Sequence, residues 1–332
     1  MKRKTILFIL LISAIFVLFL SPVVGGKWIT LSTIFSSGQN RIESQIFWHM
    51  RLPRVCTAFI AGAGLALSGM ALQALFRNPL ATPFTLGISS GGAFGAVIYI
   101  IFPAIHFSIF SLNGQSLFSL SGSAMAITIV YGLTRARRGF STATMLLAGV
   151  AVNFFFSSLI LFLQYMSGQR ELFRMVRWLM GGLDVGGFEG VLSILPFVFS
   201  GGIIVFYLTR ELNLMTTGEE IATSRGVEVK TVKNTVFFAT SLMVGGIVAI
   251  CGPIGFVGMM APHICRMIIG ADHRYLAPAS FLFGGIFLVL CDTLARTIIA
   301  PAEIPVGVIT SLIGGPFFIW LLVSGSSEKH LL

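Results

Sequence analysis

Charged residues are scarce in this sequence. Only 10% of its 332 residues are Asp, Glu, Lys or Arg, whereas 55% are hydrophobic and the mean hydropathy is +0.93. This composition excludes a water-soluble fold and predicts an all-α protein that crosses a membrane several times. The net charge of +10 is explained by basic residues in loops that stay in the cytoplasm, so it indicates contact with membrane lipid and no nucleic acid partner.

Cysteine is also rare, and the spacing of the four cysteines indicates neither a metal site nor a CxxC motif. Cys56, Cys251, Cys265 and Cys291 lie singly within apolar segments, with no CxxC pair and no Cys/His spacing typical of metal ligands. We interpret them as small core residues. The sequence also lacks the Walker A pattern GxxxxGK[ST] and the HExxH pattern. We therefore expect a chain that is not an enzyme and holds neither ATP nor a metal cofactor.

Long apolar segments, in contrast, fill most of the sequence. A bilayer core of about 30 Å needs roughly 20 apolar residues per helix. On that measure we predict ten spans, at residues 5–24, 52–75, 84–103, 118–134, 142–166, 189–209, 235–256, 259–270, 277–299 and 306–323. The eighth is too short to cross alone, so it either follows a re-entrant piece or uses residues 252–255 as a bend buried in protein.

The longest predominantly polar run between these spans is residues 210–234. We predict two short helical pieces there: one opens at Gly218, and a second follows Gly226 and carries Lys230 and Lys233. Most Lys and Arg residues fall on one side if both termini are cytoplasmic, which places the polar run in the cytoplasm as well. This run is where a cytoplasmic protein partner would bind, although a solvated loop without a partner explains the run equally well.

Small residues indicate close helix packing and an internal repeat. Gly87, Gly91 and Gly95 are four residues apart and predict a smooth ridge on the third span. Segments 63–87 and 244–270 share small residues, a central glycine and a proline before a short helix, and they run in opposite directions through the membrane. We therefore predict an inverted repeat, which is typical of transporters.

A few charged and polar residues stand in or beside the spans. Asp292 precedes Arg296 by one helical turn, so we expect these two to pair, with a proton relay as the alternative. Arg51 and Arg54 begin the second span. As unpaired guanidiniums at a water-facing mouth, these arginines would bind carboxylates of a docking protein, but snorkelling at the membrane interface explains them equally well. Asn153 either lines a pathway or bonds to a neighbouring helix.

Five strings in fixed order carry a family resemblance over nearly the whole chain after the first span. They are RLPRVCTAFIAGAGLALSGMALQALFRNPLATPFTLGISSGGAFGA (51–96), STATMLLAGVAV (141–152), GEEIATSRG (218–226), GPIGFVGMMAPHICRMIIGADHR (252–274) and AEIPVGVITSLIGGPFFIWLL (302–322). Together they resemble the permeases of iron-complex and cobalamin type ATP-binding-cassette (ABC) importers. The resemblance implies one transmembrane permease domain over 1–332 with about ten helices.

The resemblance also implies an assembly. A second permease subunit completes a homodimer, two cytoplasmic ATP-binding subunits hold ATP and Mg, and an extracytoplasmic substrate-binding protein delivers the cargo. The segment that couples the permease to the ATP-binding subunits lies within 210–234. Its matching residues are Gly218, Glu219, Ala222, Arg225 and Gly226, and Arg225 stands where the family tends to have leucine.

Further site residues follow from the same resemblance. The cytoplasmic gate matches Ser141, Thr142 and Ala143, where Ala143 replaces a residue that often carries a hydroxyl. The pathway lies between the fifth and tenth helices of the two subunits, near Asn153 and Ser311. The arginines that face glutamates of the binding protein match Arg51, Arg54 and Arg296.

The expected function is therefore a permease that moves a metal chelate across the bacterial cytoplasmic (inner) membrane. A ferric siderophore is the first choice of cargo, with haem, cobalamin and molybdate as alternatives. The competing class is a secondary transporter driven by an ion gradient. Such transporters place acids near the bilayer midplane, whereas Asp292 here has Arg296 within reach.

Overall fold

The computed structural model describes residues 2–25, 41–102, 108–109, 112–136, 142–183 and 186–324. In these ranges the chain is a bundle of α-helices with one short β-hairpin. Seven helices are long and apolar enough to cross a membrane, and three shorter apolar helices accompany them. These ten helices match the ten predicted spans, and the prediction of an all-α, multi-pass membrane protein is confirmed.

The helices are numbered here in chain order. They are α1 (Lys2–Leu20), α2 (Arg41–Ile46), α3 (Leu52–Phe76), α4 (Ile88–Ile101), α5 (Gly114–Ala136), α6 (Thr142–Met166), α7 (Gln169–Leu179), α8 (Glu189–Tyr207), α9 (Thr209–Thr216), α10 (Glu219–Ser224), α11 (Val229–Cys251), α12 (Val257–Ile269), α13 (His273–Thr297) and α14 (Val306–Val323). A π-helical turn, Phe47–Arg51, leads into α3, and a 3-10 turn, Pro83–Leu86, precedes α4. Strands β1 (Ser108–Ile109) and β2 (Leu112–Asn113) pair antiparallel before α5.

Helix α3 lies at the centre of the bundle, and most of its residues are buried. It packs against α8, α11, α12 and α13. Small residues allow this, because lipid supplies no hydrophobic drive between helices and close backbone contact must take its place. A methyl group at Gly69 would collide with the carbonyl oxygen of Gly258, and one at Gly62 would collide with that of Gly284.

The predicted glycine ridge is confirmed at two of its three positions. A side chain at Gly95 would collide with the carbonyl of Phe118, and one at Gly91 would meet the carbonyl of Gly122 at 2.5 Å, so α4 and α5 touch along their backbones. Gly87 does not belong to the ridge. Gly87, with a φ of +74°, caps the 3-10 turn before α4. Its Cα faces Val152 on α6.

The two segments of the predicted repeat have the same form. In each, a long helix is followed by an irregular turn and a short apolar helix: α3 and α4 in one, α11 and α12 in the other. The second turn contains Gly252 and Phe256, both with positive φ, at 67° and 66°. This break is the predicted bend, and it explains why the eighth apolar segment is short. Paired interruptions of this kind are typical of inverted-repeat transporters.

The polar run differs from its prediction in one respect. Gly218 does open a short helix, α10, and α9 precedes it. The second predicted piece is not separate, because Lys230 and Lys233 lie in the first turns of the long helix α11. The 209–228 segment is called the elbow below.

Helix α13 fixes the two ends of the bundle. Its 25 residues correspond to about 37 Å at 1.5 Å per residue, enough to cross the bilayer core. It begins beside the elbow, where His273 bonds to Asn213, and its last turn contains Arg296. The end of the bundle near Arg296 is called the arginine end.

Candidate functional site

The elbow owes its shape to glycine. Gly218 has φ 129° and ψ 146°, a conformation open to glycine and strained for residues with a Cβ, and it caps α10. Glu219 and Glu220 follow in the first turn, where acids are favoured by the helix dipole. At the far end Gly226, with φ 84°, turns the chain toward α11. Of the predicted coupling residues, these two glycines set the backbone of the elbow, and their role in coupling stays a prediction.

Ala222 occupies the inner face of α10. It is fully buried, and its carbonyl accepts a hydrogen bond from Val227 N at 3.0 Å. Glu219 lies 2.8 Å from Nζ of the buried Lys233 on α11. These two predicted coupling residues therefore hold the elbow against the bundle. Their role in coupling stays a prediction.

The outer face of α10 carries the side chains that a partner would meet. Ile221 is 47% exposed, and it stands between the exposed residues Glu220 and Arg225. Ile221 thus adds an apolar group to a surface that is otherwise polar. Our sequence analysis missed Ile221, because the run also contains Leu212, Leu214 and Met215 and only the fold shows that Ile221 is exposed.

Asn213 connects the elbow to α13. Its Nδ2 donates to Oδ1 of Asp272 at 2.9 Å, and its Oδ1 accepts from the backbone N of His273 at 2.8 Å. Hydrogen bonds from Arg274 hold the pKa of the Asp272 carboxyl well below its usual range, although burial acts in the opposite direction. Arg3 of α1 lies 3.6 Å from the same carboxylate and over the ring of Tyr275. Three segments of the chain thus meet at Asp272.

The predicted gate is only partly visible. Ser141 lies outside the described residues. Thr142 is half-buried and begins α6, and Ala143 beside it is exposed. Their role as a gate stays a prediction.

Two of the predicted docking arginines are paired inside the permease. The side chain of Asp292 is fully buried; Arg296 Nε lies 2.9 Å from its Oδ2, and Arg54 Nε lies 2.9 Å from its Oδ1. The expected Asp292–Arg296 pair is confirmed. The expectation of an unpaired guanidinium is wrong for Arg54, because Asp292 and Glu303 both bind it.

Two of the arginines also donate hydrogen bonds to the backbone of residues 22–24, which follow α1. Arg51 donates to the carbonyls of Pro22 and Val23 at 3.3 Å, and Arg296 donates to that of Val24 at 3.2 Å. Arg296 is buried, with a side chain 5% exposed, whereas Arg51 is half-buried. Docking by these residues stays a prediction, and burial limits Arg296 to acting through its neighbours.

A wide cavity of about 540 Å³ lies beside the break between α11 and α12. Its lining is small or apolar, apart from Ser311 on α14: Phe84, Leu179, Met180, Pro253, Gly255, Gly307, Val308, Leu312 and Pro316. Asn153 lies elsewhere, since it is half-buried on α6 and its backbone faces Gly87. Of the two pathway candidates, the structure thus places Ser311 on the cavity.

The cavity wall depends on close backbone contacts at the arginine end. Gly182 N donates to the carbonyl of Cys251 at 2.8 Å, and Gly307 N donates to that of Gly181 at 3.3 Å. The end of the amphipathic helix α7, which our sequence analysis missed, is thereby joined to both α11 and α14.

Among the described residues, no group of three or more His, Cys, Asp or Glu side chains is placed to hold a metal ion.

Comparison with known proteins gives consistent matches. The family model of the FecCD transport family matches residues 10–324. The chain is 37% identical over 305 residues to the hemin transport system permease protein HmuU of Yersinia pestis, which covers 92% of this chain and 91% of that protein. It is 39% identical over 307 residues to the cobalamin import system permease protein BtuC of Halobacterium salinarum, with coverage of 91% and 81%.

A solved structure agrees with these sequence matches. It is described as an inward-facing conformation of a metal-chelate type ABC transporter, and it superimposes with a TM-score of 0.86 at 33% identity, over 97% of this chain and 99% of that one. These matches leave the alternative of an ion-gradient-driven transporter without support. The chain therefore belongs to the FecCD transport family and is a permease subunit of an ABC transporter, with ATP hydrolysis in a separate subunit.

Proposed function

We propose that this permease imports a metal chelate, specifically a ferric siderophore, across the bacterial cytoplasmic membrane. The observation that carries the proposal is the cavity beside Ser311, which is wide and lined by small or apolar groups. Such a lining suits a bulky complex that passes with little affinity and is then released. The hemin, cobalamin and metal-chelate descriptions of the relatives support a cargo of this size.

The assembly in this proposal has two permease copies, two cytoplasmic ATP-binding subunits and one extracytoplasmic binding protein. The elbow faces the cytoplasm together with both termini. Its exposed side chains, Glu220, Ile221 and Arg225, form the contact with an ATP-binding subunit. ATP and Mg are bound by that subunit.

Transport follows from movement of the elbow. Closure of the ATP-binding subunits displaces α10, and the bonds from Asn213 to Asp272 and His273 pass the displacement to α13. Because α13 reaches the arginine end, the two ends move together, and one gate opens as the other closes. Thr142 and Ala143, with Ser141 beside them, form the gate nearer the elbow.

Docking takes place at the arginine end. Arg51 and Arg54 meet glutamates of the binding protein, since a guanidinium is suited to bidentate binding of a carboxylate. Arg296 supports this surface from behind, through Asp292. In this proposal the binding protein docks at the arginine end of α13, and ATP binding acts on the other end through the elbow.

The test is uptake by the complete complex in liposomes that contain ATP, with an iron-55 ferric siderophore and the binding protein outside. We expect ATP-dependent uptake that an ionophore leaves unchanged, and competition by unlabelled siderophore. Preferential competition by haem, cobalamin or molybdate would replace the siderophore as cargo. Uptake driven by an ion gradient without ATP would overturn the mechanism.

A further inference from the structure

Arg54 holds two carboxylates that differ in their access to water. Its Nε lies 2.9 Å from Oδ1 of Asp292, and its Nη1 lies 2.6 Å from Oε2 of Glu303. The Asp292 side chain is fully buried, whereas that of Glu303 is 45% exposed. Asp292 is therefore a fixed internal partner. Glu303 is the partner that solvent reaches.

Glu303 belongs to the short segment between α13 and α14. The next residue, Ile304, donates its backbone N–H to the carbonyl of Ala295 at 3.1 Å, and Pro305 caps α14. The Glu303 side chain also borders a cavity of about 420 Å³ between this segment and α7, which contributes Arg177 among others. The pair thus ties the start of α14 to α3 at the surface of the arginine end.

We propose that Glu303 is an internal competitor of the docking protein. In the undocked permease its carboxylate occupies Nη1 of Arg54, and on docking a carboxylate of the binding protein takes its place. This inference rests on the proposed function, in which Arg54 binds that protein. The chemistry of the two carboxylates is the same, so one substitutes for the other without a change at Asp292.

The strength of the pair is suited to exchange. Exposed ion pairs typically change an equilibrium by a factor of roughly 1.5 to 5, because water screens them and both side chains lose freedom. Breaking a buried pair is far more costly, since an uncompensated charge is left behind. The Glu303 contact is therefore the exchangeable one of the two. Its release would also free the segment that leads into α14, which carries Ser311 on the cavity wall.

The experiment uses the permease with its ATP-binding subunits in lipid nanodiscs. It measures the affinity of this complex for the fluorescently labelled binding protein of the same importer. Glu303→Gln removes the competing charge at nearly constant shape. We expect binding to tighten by roughly 1.5- to 5-fold at low salt and the gain to disappear near 1 M salt, where the Debye length is about 3 Å. The matched control is Glu189→Gln, which removes an equal charge from an exposed residue outside this pair. Equal tightening by both variants would overturn the proposal in favour of general electrostatics.

A double-variant cycle separates this inference from the proposed function. Arg54→Gln should weaken docking, and in that background Glu303→Gln should lose its effect. If Arg54→Gln leaves binding unchanged, the docking role fails. If it weakens binding but Glu303→Gln does not tighten it, docking stands and the competitor is disproved. If Arg54→Gln fails to fold, Arg54→Lys replaces it: it keeps the positive charge beside Asp292 and loses the planar fork that binds both carboxylates, so the effect of Glu303→Gln should shrink and not vanish.

Discussion

Asn213 and Asp272, which are 59 positions apart in the chain, are joined by a 2.9 Å hydrogen bond from Nδ2 to Oδ1. The same Asn213 side chain accepts from the backbone of His273, so one amide spans the elbow and the start of α13. A single side chain thereby makes two contacts between the segment that we assign to the ATP-binding subunit and the helix that reaches the arginine end.

Asn213→Ala should loosen the elbow and uncouple transport. The change leaves Asp272 and the His273 N–H without this partner, at a cost of about 1–3 kcal/mol in local stability. We expect faster hydrogen exchange in α9 and fewer substrate molecules carried per ATP, with ATP hydrolysis retained. Arg210→Ala, at an exposed position on the same helix, is the control and should change neither quantity. Unaltered coupling in Asn213→Ala would show that this bond does not transmit movement.

The stabilising effect of Asp272 should depend on pH. Its pKa is held below the usual range mainly by Arg274, so the carboxylate stabilises the folded state fully above the unfolded pKa of about 4. The contribution falls as the pH drops from there through the lowered folded pKa. We expect the difference in melting temperature between the wild type and Asp272→Asn to be constant from pH 7 to about 5 and to shrink below about 4. A difference that stays constant below pH 4 would contradict this account.

Gly218→Ala should destabilise the elbow. The φ of 129° is strained for alanine, and such strain costs of order 1–3 kcal/mol. We expect less ATP-binding subunit to co-purify with the variant. Gly132→Ala is the control, because Gly132 lies within α5 and a methyl group added there would have no neighbour within 4 Å, so alanine favours the helix. If both variants co-purify with the same amount of ATP-binding subunit, the backbone conformation of Gly218 does not matter for binding that subunit.

Asp292→Asn should be far more damaging than Glu303→Gln. Both acids bind Arg54, but removing the buried carboxylate takes away the ion-pair partner of the buried Arg296 and leaves Arg54 with Glu303 alone, at a cost of about 3–5 kcal/mol. The exposed Glu303 contributes about 0–1 kcal/mol. Thermal unfolding of the two variants in detergent measures the contrast. Similar melting temperatures would mean that Asp292 does not hold Arg54 and Arg296 together.

Hydrophobic patterning was sufficient to predict the bundle, because each apolar segment of about 20 residues must cross a bilayer as a helix. Hydrophobic patterning did not predict α7, because this helix has only eleven residues and is strongly amphipathic. The bend before α12 was predictable from residues 252–255, whose composition interrupts a helix. The correspondence between ten predicted spans and ten apolar helices therefore reflects a strong physical constraint.

The site was harder to predict, since its contacts join distant positions. Asp292 and Arg296 are one helical turn apart, and their pairing could be foreseen. Arg54 reaches Asp292 across 238 positions, and no local pattern reveals such a contact. The burial of Ala222 was likewise hidden, because α10 is too short for its apolar face to be recognised. Family resemblance supplied candidate residues, but only the fold shows which of them are buried and which are exposed.

The most direct test of the whole account is the side of the membrane on which the elbow lies. Thr216→Cys places a thiol at an exposed position of the elbow outside the proposed contact with the ATP-binding subunit, and a membrane-impermeant maleimide is applied to intact cells and to inverted vesicles, with the wild-type chain as background. We predict labelling above background in the inverted vesicles only. Labelling from outside intact cells would place the elbow away from the ATP-binding subunits and contradict the account.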